Sequence, residues 1–185
     1  RRSLHAIFIL NVESNSMFRS NIGEILLQLW TKFHILNVVV YTPVTSEDVY
    51  IYRPFKKTYT SWGIVNVYKL RSINGLEILN CLEDLEKYPI RVKIFSRLPT
   101  ALSEIPKNMQ DNRIHTDLYK YSGFGGVDGN VLGELAKQMN FSVLTVYKQQ
   151  RNFGKILKPG RITGSLGYIV YDLIDLVANG MFVTD

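Results

Sequence analysis

Cysteine is almost missing from this chain: Cys81 is the only one in 185 residues. A lone thiol excludes an internal disulfide and any cysteine-built zinc site. Cys81 falls on an apolar helical pattern, which assigns it a small buried side chain. Histidine is equally sparse. His5, His34 and His115 share no ligand spacing, so no metal is expected. Long apolar runs are missing too. The longest, around Ile35–Tyr41, is far short of the roughly 18 to 20 residues that span a bilayer. No secretory leader is visible, because Arg1-Arg2-Ser3 precedes only the short run Leu4–Leu10, with no small-residue cleavage site. The chain opens without Met and closes at Asp185 straight after a strand-like segment. Both ends read as cut.

The signatures of catalysis are absent as well. Gly164-Ser165-Leu166-Gly167 is no nucleophile elbow, and neither a phosphate-loop lysine motif nor a paired-histidine zinc motif occurs. Gly123, Gly125, Gly126 and Gly129 are wrongly spaced for a dinucleotide site, and the polar segment before them is not strand-like. Asp172 and Asp175 straddle a helix-to-strand transition and are expected to face different ways, which denies them a joint acid–base role. No enzyme and no cofactor are expected. The formal net charge of +6 invites nucleic acid or an anionic surface. Its lysines and arginines are scattered, however, with Lys56-Lys57 and Arg91–Arg97 the densest points. That pattern reads as a solvated basic surface, so no nucleic-acid partner is expected.

What is present is ordinary globular material: 46% hydrophobic and 21% charged residues, with 11 tyrosines and 9 phenylalanines to build a core. Leu4–Leu10 reads as a strand. A helix follows, with Phe18, Ile22, Ile25, Leu26, Leu29, Trp30 and Phe33 on one face and Ser16 as its cap. Ile35–Tyr41 is a β-branched run, the mark of a strand buried on both faces. Pro43 ends it, and Val49–Tyr52 is a further strand closed by Pro54. Strand, helix, strand at this spacing predicts a βαβ unit and a parallel sheet. Residues 56–74 are mixed. Leu76–Glu86 reads as a helix, and Pro89 sets a boundary after residue 88.

The second part begins with Ile90–Phe95, whose alternation with Arg91 and Lys93 predicts a half-exposed strand. Leu98–Tyr119 reads as a loop. Asp128 is expected to cap a helix that carries Val131, Leu132, Leu135, Ala136 and Met139 on one face, with Asn140 as a left-handed C-cap. Phe141–Tyr147 is a strand. A turn at Gly160–Gly164 leads to a short helix through Leu166, Ile169, Val170 and Leu173, and Ile174–Ala178 is a last strand. Asn140-Phe141-Ser142 is also a glycosylation sequon, although it falls where a strand should begin.

The order of these motifs resembles a known family. Tyr121-Ser-Gly-Phe, then Val127-Asp128 and an apolar helix, then Ile162-Thr-Gly-Ser-Leu-Gly, and then Asp175-Leu-Val-Ala-Asn-Gly with Phe182-Val-Thr-Asp185 is similar to the first ligand-binding segment of ionotropic glutamate receptors. It is closer still to the divergent insect ionotropic receptors. The resemblance covers about half the chain, residues 90–185, and is weaker over residues 1–88. It implies an α/β fold: an N-terminal α/β region (1–88), then an incomplete lobe one (89–185) of a clamshell related to type II periplasmic binding proteins. It implies the extracellular portion of a plasma-membrane cation channel that senses an odorant or tastant. The partners would be co-receptor subunits in a tetramer, with the membrane reached through segments absent from this chain. Residue by residue, Tyr121 matches the aromatic that covers the ligand. Gly180 falls where the glutamate receptors have a proline whose carbonyl takes the ligand amine. Phe182 falls where they have a ligand-contacting threonine, and Thr184 belongs to the same carried-over set. Phe182 removes a hydroxyl from the cleft, so the resemblance implies a ligand smaller or more apolar than glutamate.

Overall fold

The computed structural model describes residues 8–11, 16–36, 38–42, 47–72, 83–107, 110, 113–146 and 152–180. The chain is mixed α/β, 33% helix and 31% strand. It divides into two compact units, Arg1–Tyr88 and Pro89–Asp185.

The first unit starts with β1 (Phe8–Asn11), α1 (Ser16–Phe33) and β2 (Val38–Thr42). β1 pairs with β2 in parallel, so these three elements form the βαβ unit read from the sequence. The α1 stripe is narrower than expected. Ile22 and Leu26 are buried with Leu29 and Trp30 packed beside them, whereas Phe33 is exposed in the last turn. His34 then turns the chain at φ +54°. The valines of β2 serve both faces of the sheet, as the continuous apolar run implied. Val38 and Val40 meet Ile22 and Leu26, while Val39 packs with Val49 and Ile51 on the opposite side.

The rest of this sheet corrects the expectation of mostly parallel pairing. β3 (Asp48–Lys57) and β4 (Trp62–Lys69) join in the order β1-β2-β3-β4, and both added pairs are antiparallel. The reason is connection length. Five residues separate β2 from β3, and a parallel crossover needs a dozen or more. Pro54 does not close β3 either. Pairing with β2 stops at Ile51, and the register with β4 shifts between Arg53 and Lys57. A proline without an N–H is tolerated at such an irregularity. Tyr88 ends the unit with edge-to-face contacts to Phe55 and Trp62, ring centroids 5.1 Å apart in each case. The expected helix Leu76–Glu86 lies mostly outside the described residues, as does Cys81. From Glu83 onward the chain is turn, not helix.

The second unit is built on β5 (Pro89–Lys93), paired in parallel with β6 (Ser142–Thr145) on one side and β9 (Leu176–Val177) on the other. Being central, β5 is not half-exposed: Val92, Lys93 and Ile94 are all buried. The Lys93 ammonium lies 3.9 Å from the centroid of the Tyr168 ring, a cation–π contact that helps offset its desolvation. Between β5 and β6 run α2 (Arg113–Ser122) and α3 (Gly126–Gln138). The first replaces part of the expected loop. Ile114, Leu118 and Tyr121 recur at i, i+4, i+7, a helical signal masked by polar neighbours. The two helices touch where a side chain at Gly133 would meet the Leu118 carbonyl at 2.5 Å. Asn140 follows α3 at φ +53°, and the Phe141 N–H returns to the Ala136 carbonyl at 3.1 Å, the left-handed stop expected there. The hairpin β7 (Ile156–Leu157) and β8 (Arg161–Ile162) then leads into α4 (Gly164–Val170). On and after α4 the expected core positions Ile169, Val170 and Leu173 are exposed, and Gly164, Ser165 and Gly167 are its buried face.

Candidate functional site

In a parallel sheet, ligand-contacting groups gather beyond the carboxyl ends of the strands. The second unit places a polar cluster there. Past the end of β9, Asn179 is 7% exposed. Its side chain reads the backbone of Phe95 as a strand would. Oδ1 accepts from the Phe95 N–H at 2.9 Å, and Nδ2 donates to the Phe95 carbonyl at 2.9 Å. Beside it, the Arg97 guanidinium donates to the Gly180 carbonyl at 2.9 Å and lies 5.6 Å from the centroid of Phe153. Phe153 meets Phe95 edge to face at 5.4 Å.

Asp128 completes the cluster, in a role the sequence did not indicate. It is the third residue of α3, not its cap. Gly125 holds the cap position, and no side chain bonds there. The backbone N–H of Asp128 donates to the Thr100 carbonyl at 2.8 Å. This approach requires Gly126, at φ +77°, since a side chain there would strike the Thr100 carbonyl at 2.5 Å. Asp128 is thus buried, 8% exposed as a residue, with Asn179 Nδ2 3.5 Å from one carboxylate oxygen.

A cavity of about 360 Å³ opens against this cluster, between α3 and the end of the chain's last described strand. Val131, Leu132 and Leu135 form one wall, and Leu176, Val177 and Ala178 the other; Asp128, Asn179 and Gly180 supply its polar groups. Its volume is at the small end of the ~300–1,000 Å³ usual for ligand pockets. Leu132 is buried, whereas Val131 and Leu135 are 56% and 41% exposed. The apolar stripe read on one face of this helix therefore belongs in part to the cavity rim.

Of the residues singled out from the sequence, Gly180 lines this cavity. Tyr121 does not; it sits in the last turn of α2, 38% exposed. Phe182 and Thr184 lie outside the described residues. Arg97, Phe153, Asn179 and the inward Asp128 were missed. Arg97 and Asn179 stood in view as part of a basic run and a strand breaker, but nothing local points them at partners some 80 residues away.

The Arg91–Arg97 run is not a basic patch. Lys93 is buried and Arg97 is turned to Gly180, while Arg91 grips both Asp172 and Asp175, at 2.9 and 2.6 Å. The two aspartates converge instead of facing apart. The Arg91 N–H also donates to Asp175 Oδ2 at 2.7 Å. The hydrogen bonding it donates to Asp175 is the largest reason that the Arg91 guanidinium holds its proton still more tightly than usual. This knot ties β5 to the start of β9. Among the described residues, no group of three or more His, Cys, Asp or Glu could hold a metal ion, and no helix is long and apolar enough to cross a membrane.

No family model, curated protein or solved structure matches this chain.

Proposed function

We propose that the chain is the extracellular ligand-sensing part of a ligand-gated cation channel of the ionotropic-receptor type. The second unit would be lobe one of a periplasmic-binding-protein-like clamshell. The observation that carries this reading is the small, largely apolar cavity between α3 and β9, with Asp128, Asn179 and Gly180 at its polar side. Such a site suits recognition of a small molecule and offers no nucleophile or paired acid and base for turning it over. The motif order over residues 90–185 supports the same assignment. The ligand is a small odorant or tastant, the partners are co-receptor subunits, and the location is the outer face of the plasma membrane.

The sheet edge also has its polar groups engaged within the chain. Arg97 already donates to the Gly180 carbonyl, the atom that the family resemblance assigns to a ligand amine. That favours a ligand other than glutamate, and it favours a second reading in which the subunit serves as a non-binding co-receptor.

The test is to sequence the transcript past the codon for Asp185, followed by recording from cells expressing its full product. Three apolar segments of about 20 residues, with a second binding segment between the last two, are expected. Cation currents evoked by small apolar odorants, and not by micromolar glutamate, should follow. A reading frame that closes soon after Asp185 overturns the channel. Currents evoked by glutamate overturn the ligand class.

A further inference from the structure

We propose that the β7–β8 hairpin docks the second unit onto an anionic lipid surface, independently of what the cavity binds.

The charge of the chain is concentrated around this hairpin. Between Glu134 and Asp172 there are six lysines and arginines and no acidic residue. Those six account for the whole formal charge of +6. Of 22 basic and 16 acidic residues in all, they leave 16 against 16 elsewhere. Three of them, Lys155, Lys158 and Arg161, are exposed on the hairpin, and none of the three forms an ion pair with a described residue.

Apolar side chains share the same hairpin. Ile156 is 75% exposed and Leu157 43%. Consecutive strand residues point to opposite faces, so the two project from both sides of a ladder that pairs only with itself. A protein partner presenting one surface would cover one of them. A fluid headgroup layer closes around both and leaves the cations level with the lipid phosphates. Tyr171 stands at the base, 54% exposed, its hydroxyl accepting from the Ile162 N–H at 3.4 Å. Tyrosine favours that interfacial depth.

The tip is also held in place. The Thr163 N–H donates to the Lys155 carbonyl and the Lys155 N–H to the Thr163 hydroxyl, each at 3.0 Å. Gly154 and Gly164 meet so closely that a side chain on either would strike backbone. Across the turn, the Gly160 N–H donates to the Leu157 carbonyl at 2.7 Å. A preformed tip loses little freedom on docking.

The test places dansylalanine at position 156 of the full-length protein. The bilayers are phosphatidylcholine with or without phosphatidylserine, and a spin-labelled lipid serves as quencher. Emission should shift to the blue and be quenched when phosphatidylserine is present, and both changes should fade at high salt. Lys155→Gln, Lys158→Gln and Arg161→Gln should each lower the ratio of quenched to unquenched probe about fivefold, the worth of one cation near an anionic surface. Lys57→Gln, an exposed cation of the first unit, should leave that ratio unchanged. Matching thermal melts of the four variants would show that the fold is not the variable. No quenching, quenching that ignores phosphatidylserine, or an equal response to Lys57→Gln overturns the proposal. A blue shift without quenching by the lipid shows the tip buried against protein and overturns it as well. Currents do not enter this readout, so failure of the channel reading leaves the docking surface standing.

Discussion

Residues of one type carry different weight here according to what they touch. Asp172 and Asp175 both face Arg91, yet their side chains are 71% and 33% exposed. Asp175 also accepts from the Arg91 backbone N–H, so it closes the β5–β9 edge as well as pairing a charge. Asp172→Asn should therefore change stability by less than about 0.5 kcal/mol, as expected of a solvated pair. Asp175→Asn should cost about 1–2 kcal/mol, because charge-assisted hydrogen bonds are lost. Asparagine is the right substitution at 172, where φ is +53° and the small amide tolerates the left-handed region. Chemical denaturation of the two variants decides it, and equal losses would show that Asp175 has no part beyond its charge.

At the level of elements, β3 shows how burial becomes a pH dependence. Tyr52 is 8% exposed and packs over Gly63 of β4. Burial, aided by the nearby Tyr88 phenol, raises its pKa above the ordinary 10. A group with a raised folded pKa contributes stability that is fully present below the unfolded value and lost as pH rises through the folded one. Thermal unfolding of the chain should thus fall off above pH 10, and Tyr52→Phe should weaken that fall while leaving the melt near pH 7 little changed. An identical alkaline slope in both proteins would remove Tyr52 as the cause. The same strand explains where the sequence misled. Pro54 reads as a stop because proline cannot serve a ladder, yet β3 passes through it at a register shift beyond the reach of β2. Similarly, polar neighbours hid the stripe of α2.

For the whole molecule, the proposed extracellular location has a consequence at Asn140. Asn140-Phe141-Ser142 is the sole N-x-S/T sequence among the 185 residues. Asn140 is half-buried at the turn after α3, and Ser142 is exposed at the start of β6, an outer strand of its sheet. A surface turn of this kind is open to a glycan. In full-length protein from a secretory host, endoglycosidase should produce a mobility shift that Ser142→Ala reduces by one glycan and Ser142→Thr retains. Ser142→Ala leaves Asn140 in place for its left-handed turn, so the fold is not the variable. A Ser142→Ala protein that matches wild type band for band would show the site unused.

The sequence by itself determined whatever depends on near neighbours. The α1 stripe of Ile22 and Leu26, the two-faced valine run of β2, the βαβ start and the stop at Asn140 follow from side-chain period and turn chemistry, which act over a few residues. Only the tertiary structure decided which of the other strands became neighbours. That choice buried Lys93 in a central strand, brought Asp172 and Asp175 onto Arg91, set Asn179 against Phe95, and turned Asp128 from the expected cap into a wall of the cavity. The partners in these pairs lie some 50 to 85 residues apart, farther than any local pattern reaches. Their meeting depends on the order of strands in the sheet, which no window of sequence contains.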